Sequence, residues 1–175
     1  NNRGFASACN QGLSHVTKKW TLFLNPDVTV SHQNLLELLT FAQQNSLKAV
    51  SIVSDKDAYS KPIPSVLSLL TEFTVLNKIV PLTIFPTKTL IGGVLCIETD
   101  TLRKIGGWDE RFFLWFEDSD LSKRLHDAKI PYGFCNTNII HLGGHSVKKL
   151  TTTKQKQLFF QSMNLYARKH FSIFG

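Results

Sequence analysis

Two kinds of apolar pattern follow each other near the start of the chain. A short apolar run over residues 20–24 predicts a buried strand that ends at the polar, proline-containing segment 25–27. Residues 31–45 then carry apolar side chains at helical spacing, with Ser31 suited to cap the helix. A second buried strand is predicted over residues 48–54. This strand–helix–strand order is typical of the crossover unit of a largely parallel sheet.

The same patterns predict the remaining elements of one α/β domain. A strand over residues 90–97 contains Gly92 and Gly93, and glycines within a strand often mark close approach of a ligand or another backbone. We expect a mostly parallel sheet flanked by helices. The other predicted elements are helices over residues 2–13, 65–77, 100–105, 117–128 and 153–174, and strands over residues 132–135 and 139–140.

The segment 108–125 is the richest in chemistry, with five acidic and five aromatic residues. Its predicted helix places Glu117, Asp118 and Asp120 in the first turn, where exposed amides and the helix dipole stabilise carboxylates. Asp120 is also spaced to pair with Arg124 one turn later. Capping explains part of this cluster, but it does not require three carboxylates next to aromatic side chains. The segment is therefore a candidate site.

Composition narrows the choice of partners. Lys and Arg outnumber Asp and Glu by 20 to 13, giving a formal net charge of +7, which favours a polyanionic partner such as a phosphorylated substrate, an anionic membrane or nucleic acid. No nucleic-acid-binding pattern accompanies the charge, so we expect no nucleic acid. No apolar run is long enough for a transmembrane helix. The three separated cysteines indicate buried side chains in a protein of a reducing compartment.

Six motifs in a fixed order resemble those of a known family. They are the segments 2–12, 24–27, 92–93, 105–113, 116–124 and 141–146. Together they resemble family 2 glycosyltransferases of the rhamnosyltransferase-like group, which have the GT-A fold, a Rossmann-like sheet flanked by helices. Family members begin with a strand, a helix and a second strand that hold the nucleotide base and ribose. This sequence starts after them, so the resemblance implies one partial catalytic domain over residues 1–175, lacking that first unit.

The resemblance implies inverting transfer of a sugar from a nucleotide-diphosphate sugar to an acceptor hydroxyl, in cell-surface polysaccharide or glycan synthesis. Asp118 matches the general base. Asp27 and His141 match ligands of a divalent metal, Mn2+ or Mg2+, that assists the departing diphosphate. Asn25 replaces the first acid of the family's Asp-x-Asp motif. The other implied contacts are Glu117, Trp115, Asp109 and Glu110 to the acceptor, and Asn2, Asn25, Asp27, Gly92 and Gly93 to the donor.

The terminal helix raises the question of a membrane. It combines basic residues with Phe159, Phe160 and Phe171, the mixture expected of a segment that binds an anionic surface. A lipid-linked or glycan acceptor would then be met at the cytoplasmic face of the cell membrane, as the resemblance implies. Packing of these aromatics into the domain core is the competing explanation, and it is the one we favour.

Two other functions stay open at this point. The first is a binding module derived from a glycosyltransferase that no longer turns over substrate. The second is a metal hydrolase built from Asp118, Asp120, His141 and His145. It is disfavoured because two glycines separate the histidines and make a poor helix for a histidine pair.

Overall fold

A computed structural model describes residues 2–53, 61–73, 87–137, 139–141 and 151–171. Helices and strands follow one another in the mixed order expected of an α/β protein. The helices are α1 (Phe5–Ser14), α2 (His32–Gln44), α3 (Val66–Phe73), α4 (Thr99–Lys104), α5 (Glu117–Asp127) and α6 (Thr152–His170). The strands are β1 (Trp20–Leu24), β2 (Val28–Thr29), β3 (Ala49–Ile52), β4 (Val94–Glu98), β5 (Tyr132–Cys135) and β6 (Ile140–His141).

The main sheet has four strands in the order β1-β4-β3-β5, and β2 pairs with β6 in a small second sheet. Strand β4 is antiparallel to both of its neighbours, whereas β3 and β5 are parallel. The predicted crossover from β1 to β3 has the right direction, since both strands run opposite to β4. The two strands do not pair, however, because β4 lies between them. Three of the four strands thus run in one direction, as expected for a mostly parallel sheet, and β4 is the antiparallel exception.

Local sequence explains most element boundaries. Ser31 caps α2 and forms a reciprocal capping box with Asn34, as the residue types favour. Helix α1 begins only at Phe5, because Gly4 has a φ of 92° and a side chain there would lie 2.6 Å from the Phe113 carbonyl oxygen. The sequence predicted Gly92 and Gly93 inside a strand. In the structure they lie in the turn that precedes β4.

Three clusters of buried side chains hold the layers together. The first lies under α1, α4 and α5 around Trp108 and Leu121, and the second lies under α2 around Leu38 and Val50. The third joins the start of α5 to α6 through Phe116 and Tyr166. No helix in the described part of the chain is both long and apolar enough to cross a membrane.

Candidate active site

One edge of the main sheet brings several predicted site residues together. The carboxyl ends of β1, β3 and β5 lie at this edge, as does the amino end of β4. The Asn25 N–H donates to the Gly93 carbonyl oxygen at 2.9 Å, so the segment 25–27 is tied to the glycine turn. Strand β6 pairs His141 with Val28, which places the backbone of His141 beside that of Asp27. The side chain of His141 lies outside the described structure, as does the whole of His145.

The first turn of α5 is fixed against the same glycine turn. The Leu90 N–H donates to the Ser122 hydroxyl oxygen at 2.8 Å, and that hydroxyl donates to the Asp118 carbonyl oxygen at 2.7 Å. A Cβ atom on Gly92 would lie 3.2 Å from the Trp108 ring and 3.5 Å from the Asp118 Cβ. Glycine at position 92 thus allows Asp118 to approach the sheet edge closely.

The carboxyls of Glu117 and Asp118 lie in surroundings that disfavour their charged forms. Burial raises the pKa of Asp118, although hydrogen bonds from the backbone N–H groups of Ser119 and Gly92 oppose part of that rise. Burial, followed by the charge of Asp118, raises the pKa of Glu117. The Glu117 Oε2 atom is buried and has no hydrogen-bond partner. Within the described ranges, no lysine, arginine or histidine forms an ion pair with either carboxyl. This environment suits a group that takes up a proton.

Two consecutive aromatic residues lead into this helix in a left-handed conformation. Trp115 has a φ of 65° and Phe116 a φ of 66°, values that are unfavourable for bulky side chains. Their neighbours hold them in place: the Ser162 hydroxyl donates to the Leu114 carbonyl oxygen at 2.7 Å, and the Phe159 ring packs against both. The sequence carried no signal for this strained entry to α5.

A cavity of about 310 Å³ opens beside Asp118. Its walls come from α5, from α6, from the segment 61–69 and from Thr89. Most of the lining is apolar and includes aromatic rings, while Asp118 and Ser119 supply polar groups. The full lining is Lys61, Pro62, Pro64, Ser68, Leu69, Thr89, Trp115, Phe116, Asp118, Ser119 and Phe159. Such a mixture fits the apolar faces and hydroxyl edges of a sugar.

Two of the predicted acceptor residues and one predicted donor residue lie elsewhere. Asp109 is engaged by Arg111 at 2.6 Å and by Lys169 at 2.7 Å. Glu110 accepts from the Asn10 side-chain amide at 3.0 Å and lines a separate polar groove along α1, together with Asn2. The structure thus places Trp115 and Asp118 in the cavity wall but does not bring Asp109, Glu110 or Asn2 to it, and Glu117, the remaining predicted acceptor residue, does not line it either.

Asp120 has surroundings opposite to those of Asp118. Its side chain is fully buried, and its Oδ2 accepts from the Arg124 Nε at 2.8 Å, the pairing predicted from the sequence. Its Oδ1 lies 2.6 Å from the Lys169 Nζ and 2.7 Å from the His170 Nε2. Burial alone raises the pKa of Asp120, but His170, Arg124 and Lys169 together lower it. The contacts from α6 were missed, because the basic residues of this helix were interpreted from the sequence only as a surface that binds an anionic membrane.

The aromatic residues of α6 mostly face the protein. Phe159 packs on Trp115 and Phe116, and Phe171 packs on Tyr166. Phe160 is 49% exposed. This arrangement agrees with the favoured explanation, packing into the domain. The described residues contain no group of three or more His, Cys, Asp or Glu side chains able to hold a metal. Two members of the alternative hydrolase set, the side chains of His141 and His145, lie outside the described residues.

Comparison with known proteins identifies the family. The family model described as glycosyl transferase family 2 matches residues 1–88, and a model described as the N-terminal domain of galactosyltransferase matches residues 82–146. The chain belongs to glycosyl transferase family 2. A curated relative, the low-salt glycan biosynthesis hexosyltransferase Agl10 of Haloferax volcanii, is 25% identical over 98% of the chain. The chain spans 59% of that relative's length.

Solved structures confirm the fold. One of them is a mannosyltransferase from Pyrobaculum calidifontis in complex with GDP-Man and Mn2+, which aligns with a TM-score of 0.58 at 15% identity. This alignment covers 96% of the present chain and 45% of the mannosyltransferase chain. The catalytic domain of Drosophila β1,4-galactosyltransferase 7 with xylobiose aligns with a TM-score of 0.52 at 16% identity. This alignment covers 89% of the present chain and 58% of the galactosyltransferase chain. The GT-A type of α/β fold expected from the sequence is therefore confirmed.

Proposed function

We propose that the protein is a hexosyltransferase that moves a sugar from a nucleotide-diphosphate sugar to an acceptor hydroxyl with inversion at the anomeric carbon. The observation that carries this proposal is the position of Asp118, a half-buried carboxylate that forms no ion pair with any described residue and that faces both a sugar-sized cavity and the sheet edge. Membership of glycosyl transferase family 2 and the hexosyltransferase relative support the same chemistry.

In the proposed reaction, Asp118 acts as the general base. The acceptor hydroxyl enters from the cavity, its proton passes to the Asp118 carboxylate, and its oxygen forms a bond to the anomeric carbon. The bond from that carbon to the diphosphate oxygen breaks, and its electron pair leaves with the diphosphate. A carboxylate that is buried and uncompensated holds the transferred proton more readily than one paired with lysine or arginine.

The donor lies on the other side of the glycine turn in this proposal. Asn25 and Asp27 follow β1, and the hydrogen bond from the Asn25 N–H to the Gly93 carbonyl oxygen holds this segment beside the glycine turn. A carboxylate from Asp27 and an imidazole from His141 suit Mn2+ and also permit Mg2+, and the backbone pairing of β2 with β6 is compatible with a shared ion. When bound, the metal supplies positive charge to the departing diphosphate.

The acceptor is proposed to be a glycan or a lipid-linked glycan bound in the cavity lined by Trp115 and Phe159. Aromatic rings there offer flat apolar faces for stacking against a sugar ring. A place at the cytoplasmic face of the cell membrane, and a role in cell-surface glycan synthesis, belong to the same proposal. They rest on the resemblance to polysaccharide-building glycosyltransferases and not on a membrane-binding surface of the described residues.

A donor screen tests the proposed function. The full chain is incubated with Mn2+ and a panel of nucleotide-diphosphate hexoses, and both binding and release of nucleoside diphosphate are measured with and without acceptor glycans. We expect one donor class to bind and to be consumed. Binding of donor without any release, under all acceptors tried, would favour the alternative of a non-catalytic binding module. Failure to bind any donor would contradict the proposal.

A further inference from the structure

The end of α6 forms a bridge between two carboxylates that flank the strained entry to α5. The Lys169 Nζ lies 2.7 Å from the Asp109 Oδ2 and 2.6 Å from the Asp120 Oδ1. All three side chains are largely withdrawn from solvent, with exposures of 23%, 12% and 0% for Lys169, Asp109 and Asp120. One ammonium group therefore joins the segment before the aromatic pair to the first turn of α5.

Further contacts along α6 secure the same region. The Ser162 hydroxyl donates to the Leu114 carbonyl oxygen at 2.7 Å, and the Tyr166 hydroxyl donates to the Pro64 carbonyl oxygen at 3.0 Å on the cavity wall. His170 adds a second contact to Asp120 at 2.7 Å. From Ser162 to His170, α6 thus contacts the residues on both sides of Trp115 and Phe116.

This arrangement has a mechanical consequence for Asp118. Two adjacent left-handed residues are unfavourable and persist only where surrounding contacts fix them. Asp118 and Asp120 lie two positions apart and so point to opposite sides of α5. The side that carries Asp120 is anchored, while the side that carries Asp118 faces the cavity. Loosening the anchor therefore shifts the carboxylate that faces the acceptor.

We propose that Lys169 is a positioning residue for Asp118, and that Asp109 acts through Lys169 instead of contacting the acceptor. The proposal rests on the proposed function for its effect on turnover, but the bridge itself does not. Lys169 touches neither substrate nor the reacting atoms; it fixes the turn from which the base projects. Displacement of a reacting group by about 1 Å costs on the order of 100-fold in rate.

The test compares K169M, K169R and K123M in the full chain. Lys123 pairs with Asp127 at 2.6 Å near the other end of α5, so K123M removes a more exposed lysine–aspartate ion pair that lies away from the entry segment. We expect K169M to lower kcat at least about tenfold with the donor KM changed less than about threefold, and K169R to restore most of kcat. The kcat of K123M should stay within about twofold of the parent value. Normal kcat in K169M would overturn the proposal.

A double-mutant cycle separates the two roles of Asp109, and the D109N variant alone separates them if K169M does not fold. If Asp109 acts through Lys169, D109N lowers kcat, and D109N combined with K169M is no slower than the worse single variant. If Asp109 instead contacts the acceptor, D109N raises the acceptor KM at unchanged kcat. The losses in kcat/KM caused by D109N and by K169M then multiply in the double variant. That second result would overturn the proposal.

Hydrogen exchange provides a measure that does not depend on activity. Amides of the segment 112–121 should exchange at least about tenfold faster in K169M and D109N than in K123M. Equal exchange in all three would contradict the bridge. Absence of sugar transfer by the parent chain would contradict the proposed function, and faster exchange would then still support the anchoring by Lys169.

Discussion

The two aspartates in the first turn of α5 share a helix and its dipole, yet Asp120 is fully buried, Asp118 is half-buried beside a cavity, and their chemistry differs. Asp120 is surrounded by Arg124, Lys169 and His170, and these lower its pKa despite its burial. Among the described residues, Asp118 accepts hydrogen bonds from the Ser119 and Gly92 backbone N–H groups and forms no ion pair, and burial raises its pKa. The comparison shows that helix capping does not decide the role of an acid here; the side chains that contact it, Arg124 from α5 and Lys169 and His170 from α6, do.

Substitution of Asp118 should produce the largest change in function. D118N removes the proposed base while keeping the shape of the side chain, so we expect kcat to fall by about 100-fold or more at nearly unchanged donor affinity. The melting temperature should not fall, because D118N removes a carboxylate whose charged form is disfavoured by burial. Turnover assays, donor titration and thermal melting measure these three quantities. A kcat within a few-fold of the parent would remove Asp118 from the mechanism.

The same substitution at Asp120 should act on stability instead. D120N leaves Lys169 and His170 without their buried partner, and breaking such a cluster lowers the free energy of unfolding by about 3–5 kcal/mol. Urea unfolding at neutral pH, with D100N as the control at an exposed acid, measures the change. A loss below about 1 kcal/mol would show that Asp120 is not the structural member of the pair.

A third carboxylate extends the comparison to the donor side of the glycine turn. We expect chelation of divalent metal to lower sugar transfer and added Mn2+ to restore it. D27N should raise the Mn2+ concentration for half-maximal activity by at least about 10-fold, since even partners outside the ligand shell have effects of that size. Activity measured against Mn2+ concentration for D27N and D100N checks this. An identical Mn2+ dependence in both variants would contradict a metal ligand at Asp27.

Glu117 should show the smallest effect, on the pH dependence of stability. Its folded pKa is raised by burial and by Asp118, so the folded state holds its proton more tightly than the unfolded state does. Stability is therefore lost as pH rises from the ordinary glutamate range towards the folded pKa. E117Q removes that loss, and its melting temperature relative to the parent should rise by about 3 °C or more between pH 4 and pH 8.

Glu110 offers a control of opposite sign for this experiment. Hydrogen bonds from Asn10 and Ser7 lower the pKa of Glu110, so its ionised form favours folding once the pH exceeds the ordinary glutamate range. E110Q should accordingly become less stable relative to the parent as the pH rises through the acidic range. Parallel pH profiles for E117Q and E110Q would contradict the assigned difference between the two glutamates.

Local patterns predicted most of the fold, and long-range contacts supplied the rest. Strands β1 and β5 and helix α2 agree with their apolar spacing and caps, because those signals lie within each segment. The antiparallel insertion of β4 was missed, since pairing between strands some 40 or more residues apart leaves no mark in local periodicity. The glycine turn was taken as strand for the same reason.

The candidate site was predictable by residue type but not by partner. Asp118 and Trp115 were singled out from the acidic, aromatic segment, and both line the cavity. Asp109 was assigned to the acceptor, yet Lys169, 60 positions away in sequence, contacts it. A sequence shows which acids are present, whereas only the packing of α6 on α5 shows which of them are paired with cations.

A pH titration of the aspartate side chains by carbon NMR tests the central claim most directly. The metal-free full chain is titrated, with D118N and D120N used to assign the two resonances. We expect the Asp118 carboxyl to titrate above the ordinary aspartate pKa and the Asp120 carboxyl to titrate below it. The assigned difference between Asp118 and Asp120 would be contradicted if both carboxyls titrated on the same side of the ordinary aspartate pKa, or if Asp120 titrated above it and Asp118 below it.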